Sequence, residues 1–170
     1  MINMKKLISL YLLVYLAACS ENKSIRRDLI GKPMPSIRIL LLDSSSHFDT
    51  KNIQEGQWSV FFYFSSECPY CRAQMKEMTD KINQIKNARI YAVTFGSFND
   101  LKSFSTEFNL NKYSNIITGL DYSNSLVRFF NLKTVPFTAI YNPKNKIIWT
   151  SSGKTSVNQI KNEIESVETN

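Results

Sequence analysis

Val60-Phe61-Phe62-Tyr63-Phe64-Ser65-Ser66-Glu67-Cys68-Pro69-Tyr70-Cys71-Arg72-Ala73-Gln74-Met75 is the stretch on which the reading of this chain turns. Its first five residues form an unbroken apolar run, the pattern of a strand buried on both faces of a parallel sheet. Two serines end the run and a Cys-x-x-Cys follows. Beyond it Met75, Met78, Ile82 and Ile85 recur at spacings of three, four and three, which predicts one apolar helical face, and Lys76, Lys81 and Lys86 lie off that stripe. The cysteine pair is therefore expected where a buried strand hands over to a helix.

Working outward, residues 37–42 read as a strand after Pro33 and Pro35, with Ser44-Ser45-Ser46 as its turn. Residues 89–95 read as a second buried strand and 113–118 as a short one, with a helix marked by Leu101, Phe104 and Phe108 between them. Leu126, Phe129 and Phe130 mark a further helix. Residues 135–141 and 146–150 predict a hairpin turning at Asn142-Pro143. A closing helix carries Val157, Ile160, Ile164 and Val167 on one face, with Ser156 and Gln159 at capping-box spacing. Parallel strands joined by helices, then an antiparallel hairpin and a last helix, predict an α/β sandwich. A chain of 170 residues has room for one such domain, and 11 Phe and 8 Tyr argue for a packed aromatic core.

The formal charge of +7 is spread along the chain without a run of Lys and Arg, so nothing marks a nucleic-acid surface. At the N-terminus Lys5 and Lys6 precede a mainly apolar segment, residues 7–16. That segment has the length of a signal-peptide core and is too short to span a bilayer. Leu16-Ala17-Ala18-Cys19 follows it and resembles the lipobox of bacterial lipoproteins. The resemblance implies cleavage before Cys19 and lipid on its thiol; the alternative is an ordinary secretory signal that ends beside a cysteine. The expected organisation is a signal peptide over 1–18, a lipidated Cys19 and polar tether over 19–30, and one folded domain over 31–170. Such a protein would be held at a membrane of the bacterial envelope through its lipid, inner or outer membrane left open.

At a helix start a thiolate meets unpaired N–H groups and the positive end of the helix dipole, which favours the charged form. Pro69 suits the first helical position, and residues three apart on one turn are close enough for a disulfide to form and break. Cys68 then reads as the exposed nucleophile and Cys71 as the shielded thiol that resolves a mixed disulfide. Glu67 and Arg72 pull on Cys68 in opposite directions. A zinc site needs at least three protein ligands, and with Cys19 set aside the chain adds only His47, which reads as a loop residue. A purely structural disulfide closing so short a loop constrains the unfolded chain little.

The Cys-x-x-C, the downstream Val135-Pro136 and this order of elements together resemble the thioredoxin-like superfamily, in particular the TlpA/ResA-like envelope oxidoreductases, over residues 31–168. Gly31-Lys32-Pro33-Met34-Pro35 is similar to that family's opening, and the segment from Asn99 to Leu120, followed by Asp121, to its insertion. The resemblance implies a thioredoxin fold, a central mixed sheet flanked by helices. It further implies that Pro136 is cis beside the cysteines, with the backbone of Val135 open to an extended substrate, and that Pro69 and Tyr70 face that substrate. Three positions depart from the pattern. Phe62 and Gln74 stand where relatives carry acids thought to shuttle protons, and Glu67 replaces a Trp. Tyr63 and Glu77 are the substitutes at hand.

The function implied is thiol–disulfide exchange on envelope proteins, with Cys68 and Cys71 as a redox-active disulfide and no other cofactor or metal. The resemblance favours reductase over oxidase. Partners would be protein thiol or disulfide clients and an upstream redox partner. The competing reading is a binding module that grips an extended client or a metal-delivery partner without catalysis. A peroxidase fits less well: Ser65, not Thr, stands three residues before Cys68.

Overall fold

A computed structural model describes residues 26–169. The predicted signal peptide, the lipidation site Cys19 and most of the tether lie outside the described residues. Seven strands form one mixed sheet: β1 (Arg38–Leu41), β2 (His47–Asp49), β3 (Trp58–Phe64), β4 (Ala88–Thr94), β5 (Ile116–Leu120), β6 (Phe137–Tyr141) and β7 (Ile147–Ser152). The order across the sheet is β2-β1-β5-β4-β3-β6-β7. Strands β3, β4 and β5 are parallel, while β6 runs antiparallel to β3, β7 to β6, β1 to β5 and β2 to β1. Among the described residues four α-helices flank the sheet: α1 (Pro69–Asp80), α2 (Phe98–Glu107), α3 (Ser125–Phe130) and α4 (Val157–Glu168).

All seven residues of β3 are buried. Alternate side chains enter two cores. Val60, Phe62 and Phe64 join Cys71, Met75 and Met78 of α1, Leu101 and Phe104 of α2, and Val157, Ile160 and Ile164 of α4. Phe61 and Tyr63 face the other way, among Leu126 and Phe130 of α3, Tyr91, Phe137 and Tyr141. Each such buried side chain contributes about 1.5–3 kcal/mol, so a continuous apolar strand is stable only where both faces are covered. The expected mixed sheet flanked by helices is what forms. The segment read as an insertion supplies α2 and β5, and β5 sits between β1 and β4.

Several expectations are corrected. The stripe from Met75 to Ile85 is not one helix. α1 ends at Asp80, Lys81 leaves helical geometry (φ −114°, ψ 21°), and a 3-10 turn, Ile82–Ile85, carries the last two apolar residues. A spacing of three fits both helix types, so the stripe passes through the break. The strand expected over 113–118 starts three residues later, because Asn109 takes a left-handed conformation (φ 49°) and the 3-10 turn Leu110–Lys112 follows. His47 is not in a loop; it opens β2 and pairs with Leu40. Val167 projects from the last turn of α4, exposed.

Residues 26–30, expected as tether, pack on the domain. Leu29 is buried, and Arg26 bonds through its N–H to Thr150 Oγ1 (3.0 Å) and through its guanidinium to Phe130 O (2.8 Å). The following residues lie along β7: Gly31 N–H donates to Ile147 O (2.7 Å), Ile147 N–H to Lys32 O (3.0 Å) and Met34 N–H to Asn145 O (3.0 Å).

Gly119 in β5 is in register with Leu41 on one side and Val93 on the other. A β-carbon there would run into the Ile39 side chain and stand 2.9 Å from Leu40 O. Gly119→Val is therefore expected to destabilise the domain by about 2 kcal/mol or more, read as a lower urea midpoint at unchanged slope.

Candidate functional site

β3 ends at Phe64 and the chain turns once, with Cys68 N–H donating to Ser65 O (3.2 Å), before α1 begins. Cys68 is the N-cap of α1 in extended geometry (φ −77°, ψ 117°) and Pro69 is the first helical residue. The sulfur of Cys68 takes the place of a capping oxygen: it accepts the N–H of Cys71 at 3.4 Å. One of the unpaired donors of the helix start thus points at this sulfur. Cys68 is half-buried, whereas Cys71 is fully buried, one turn inside; both are free thiols. Burial pushes the Cys71 thiol far above the ordinary range, and its hydrogen bond to Cys68 adds to the effect.

The Cys68 sulfur also lies 3.7 Å from Val135 O. Adjacent pairing of β3 with β6 sets Tyr63 opposite Phe137, which carries Val135 and Pro136 to the Cys68 end of the sheet. The Val135–Pro136 bond is cis, as the resemblance implied, and Pro136 O is held by Gly153 N–H (2.8 Å). Cys68, Cys71 and Val135 are thus brought together. Pro69 and Tyr70 lie on the outer side of the pair, and Tyr70 is 68% exposed.

Arg72 does not stand free to act on the thiols. Its guanidinium donates to Ser66 O (3.2 Å), pairs with Glu107 and lies over the Phe108 ring, 5.8 Å from its centre. It clamps the 65–67 turn to the end of α2.

The two positions where relatives carry acids hold neutral side chains that pack or bond elsewhere. Phe62 stacks on Phe64 at 5.3 Å. Gln74 is buried one turn beyond Cys71, donating to Thr138 Oγ1 (2.9 Å) and accepting Thr155 N–H (2.8 Å). It ties α1 to β6 and to the loop before α4. A polar residue inside the apolar stripe of α1 was visible in the sequence; its two partners, 64 and 81 residues away, were not.

Neither substitute acid serves Cys71. Tyr63 lies on the opposite face of β3; burial, with Asp121 adding, pushes its phenol above the ordinary range. Glu77 accepts Lys81 Nζ (3.1 Å) and Val157 N–H (3.2 Å) and pairs with Lys154 (3.3 Å). Burial works against its charge, but these donors together hold the carboxyl below the usual carboxylate range. His47 contacts Tyr122 edge-on at 5.8 Å, with three strands between β2 and β3. Asp121, noted in the sequence only as a landmark, is buried and caps α3 through Ser125 N–H (2.9 Å) and Leu126 N–H (2.8 Å).

The model of the AhpC/TSA family matches residues 30–150. A secreted Mycobacterium tuberculosis disulfide oxidoreductase homologous to E. coli DsbE superposes with a TM-score of 0.64 at 16% identity, covering 77% of this chain and 96% of that one. StoA from Bacillus subtilis gives 0.59 at 17% identity, over 78% and 98%. AhpC from Enterococcus faecalis gives 0.65 at 16%, over 83% and 93%. No match was found among curated protein sequences. At these identities the likeness establishes the thioredoxin-like fold.

Because the folded Glu77 carboxyl sits below its ordinary value of 4.5, its contribution to stability is present above that value and lost as pH falls through the depressed one. Glu77→Gln is expected to cost about 1 kcal/mol at neutral pH and progressively less in acid, measured by urea unfolding across that range.

Proposed function

The chain belongs to the AhpC/TSA family, and on that footing we propose that it is a thiol–disulfide oxidoreductase that reduces protein disulfides in the bacterial envelope. The observation that carries the reading is the pair itself: a half-exposed sulfur capping α1, with a buried thiol one turn behind it. Val135, with Pro136 behind it, and Pro69 and Tyr70 on the outer side form the surface to which a client disulfide is presented.

In the first step the Cys68 thiolate attacks one sulfur of the client disulfide, forming a Cys68–client bond and releasing the other client sulfur as a thiolate. In the second, Cys71 attacks the Cys68 sulfur, forming the Cys68–Cys71 disulfide and releasing the second client thiol. Two electrons pass to the client, and the two thiol protons end on its sulfurs. Gln74 exchanges no proton at neutral pH, so the Cys71 proton has the departing client sulfur or water as its acceptor. A separate dithiol donor returns two electrons to reset the pair. A signal peptide over 1–18 and lipid on Cys19 would hold this chemistry at a membrane surface.

The Cys71→Ser protein is expected to accumulate Cys68–client mixed disulfides in cells, seen as adducts that thiol reductants release, and Cys68→Ser to form none. In glutathione buffers the pair should equilibrate near about −270 mV, the range of reducing thioredoxins, rather than about −120 mV. Failure of Cys68 to exchange with any disulfide would overturn the proposal; a strongly oxidising potential would reverse its direction.

A further inference from the structure

Two contacts join α1 to the segment that becomes β6. The Cys68 sulfur, at the start of α1, lies 3.7 Å from Val135 O, just before β6. Farther along both elements, the side-chain amide of Gln74 donates to Thr138 Oγ1 (2.9 Å). From Cys68 to Gln74 a helix rises about 9 Å, at about 1.5 Å per residue. From Val135 to Thr138 a strand rises about 10 Å, at about 3.3 Å per residue. The directions agree as well as the lengths. β6 is antiparallel to β3, and α1 carries the chain back to the start of β4, which is parallel to β3. The two contacts are therefore rungs between a helix and a strand that run side by side.

Further bonds close the Gln74 rung into a ring. The Gln74 amide oxygen accepts Thr155 N–H (2.8 Å), and in the same loop Gly153 N–H donates to Pro136 O (2.8 Å). One side chain of α1 thus holds Pro136 from two directions: through Thr138 in β6, and through the 153–155 segment bonded to the Pro136 carbonyl. Gln74, Thr138 and Thr155 are all fully buried. Water cannot replace a partner there, and an unpaired donor costs about 1–3 kcal/mol. The contact between Cys68 and Val135 is the weaker rung, since a thiol is a poor donor and this one is only partly buried.

Resting on the oxidoreductase reading, we infer that Gln74 is a positioning residue for exchange with peptide disulfides. Its bonds to Thr138 and Thr155 set the distance between the Cys68 sulfur and the Val135 carbonyl, and so between the nucleophile and a client backbone laid along Val135. Gln74 itself touches no reacting atom. A client paired with Val135 meets Cys68 correctly only while that distance holds, and a misplacement of about 1 Å can cost about a hundredfold in rate. A small disulfide without a peptide backbone approaches the half-exposed sulfur on its own terms and is less sensitive.

The test uses the full-length reduced protein and two substrates with one leaving group. Each is cysteine disulfide-bonded to thionitrobenzoate, once as the single amino acid and once at the centre of an uncharged, extended dodecapeptide. Cys68 attacks the cysteine sulfur, and thionitrobenzoate leaves as the thiolate. The readout is the ratio of release rates, peptide over amino acid, because a loss of folded protein scales both rates alike. Wild type is expected to favour the peptide about tenfold. Thr138→Val keeps the shape and removes the rung, and its ratio should fall to about one, whereas Thr138→Ser keeps the hydroxyl and should stay within about twofold of wild type. Gln74→Leu removes the rung from the helix side and should match Thr138→Val, which gives a second reading should the valine variant not fold. The double variant Gln74→Leu/Thr138→Val should fall no further than Gln74→Leu alone. A wild-type ratio near one, a wild-type ratio retained in Thr138→Val or Gln74→Leu, or a serine variant as impaired as the valine one would overturn the inference. Release from neither substrate by wild type would instead sink the oxidoreductase reading beneath it.

Discussion

Trp58–Phe64 is enclosed on every side: β4 and β6 pair with it in the plane of the sheet, and separate cores cover its two faces. No residue of this strand can turn outward without leaving a gap in one core or breaking a ladder. The enclosure dictates what its end must do. The parallel neighbour β4 starts at the far edge, so the chain has to cross back as a helix, and Cys68 caps that helix. The antiparallel neighbour β6 begins beside the end of β3, so Val135 arrives next to Cys68. The geometry of the sulfur pair is thus a by-product of how one apolar strand is buried.

The pair is asymmetric for the same reason. A position at the helix start opens to solvent, while one turn inward the side chain enters the core that β3, α1, α2 and α4 share. Gln74 then fixes α1 against β6 and the loop before α4 through the hydrogen bonds of its side-chain amide. With phenylalanine and glutamine at the positions where relatives carry acids, the surroundings of the inner thiol are held by shape and hydrogen bonding rather than by charge.

Features set by local pattern were legible in the sequence: the β3 run, the cysteines at its junction with α1, and the Ser156 cap of α4, whose hydroxyl accepts Gln159 N–H at 3.1 Å. Features that need a distant partner were not. β2 exists because β1 lies beside it, and His47-Phe48-Asp49 has no alternation of its own to announce it. The break at Lys81 is hidden by a spacing common to two helix types. The exposed rings of Phe95 and Tyr122 were unreadable for the opposite reason: aromatic residues after strands look like core until the topology shows where the strands end.

The segment bonded along β7 has a consequence for how the molecule behaves in company. A terminal strand of six residues presents unpaired amides and carbonyls that another sheet can dock onto. Residues 31–34 occupy its first part, through the Gly31, Lys32 and Met34 bonds, and the backbone of Arg26 reaches Thr150 farther along. The short segment before β1 thus covers the start of that margin, and a version beginning after Met34 would leave the Ile147 amide and carbonyl open.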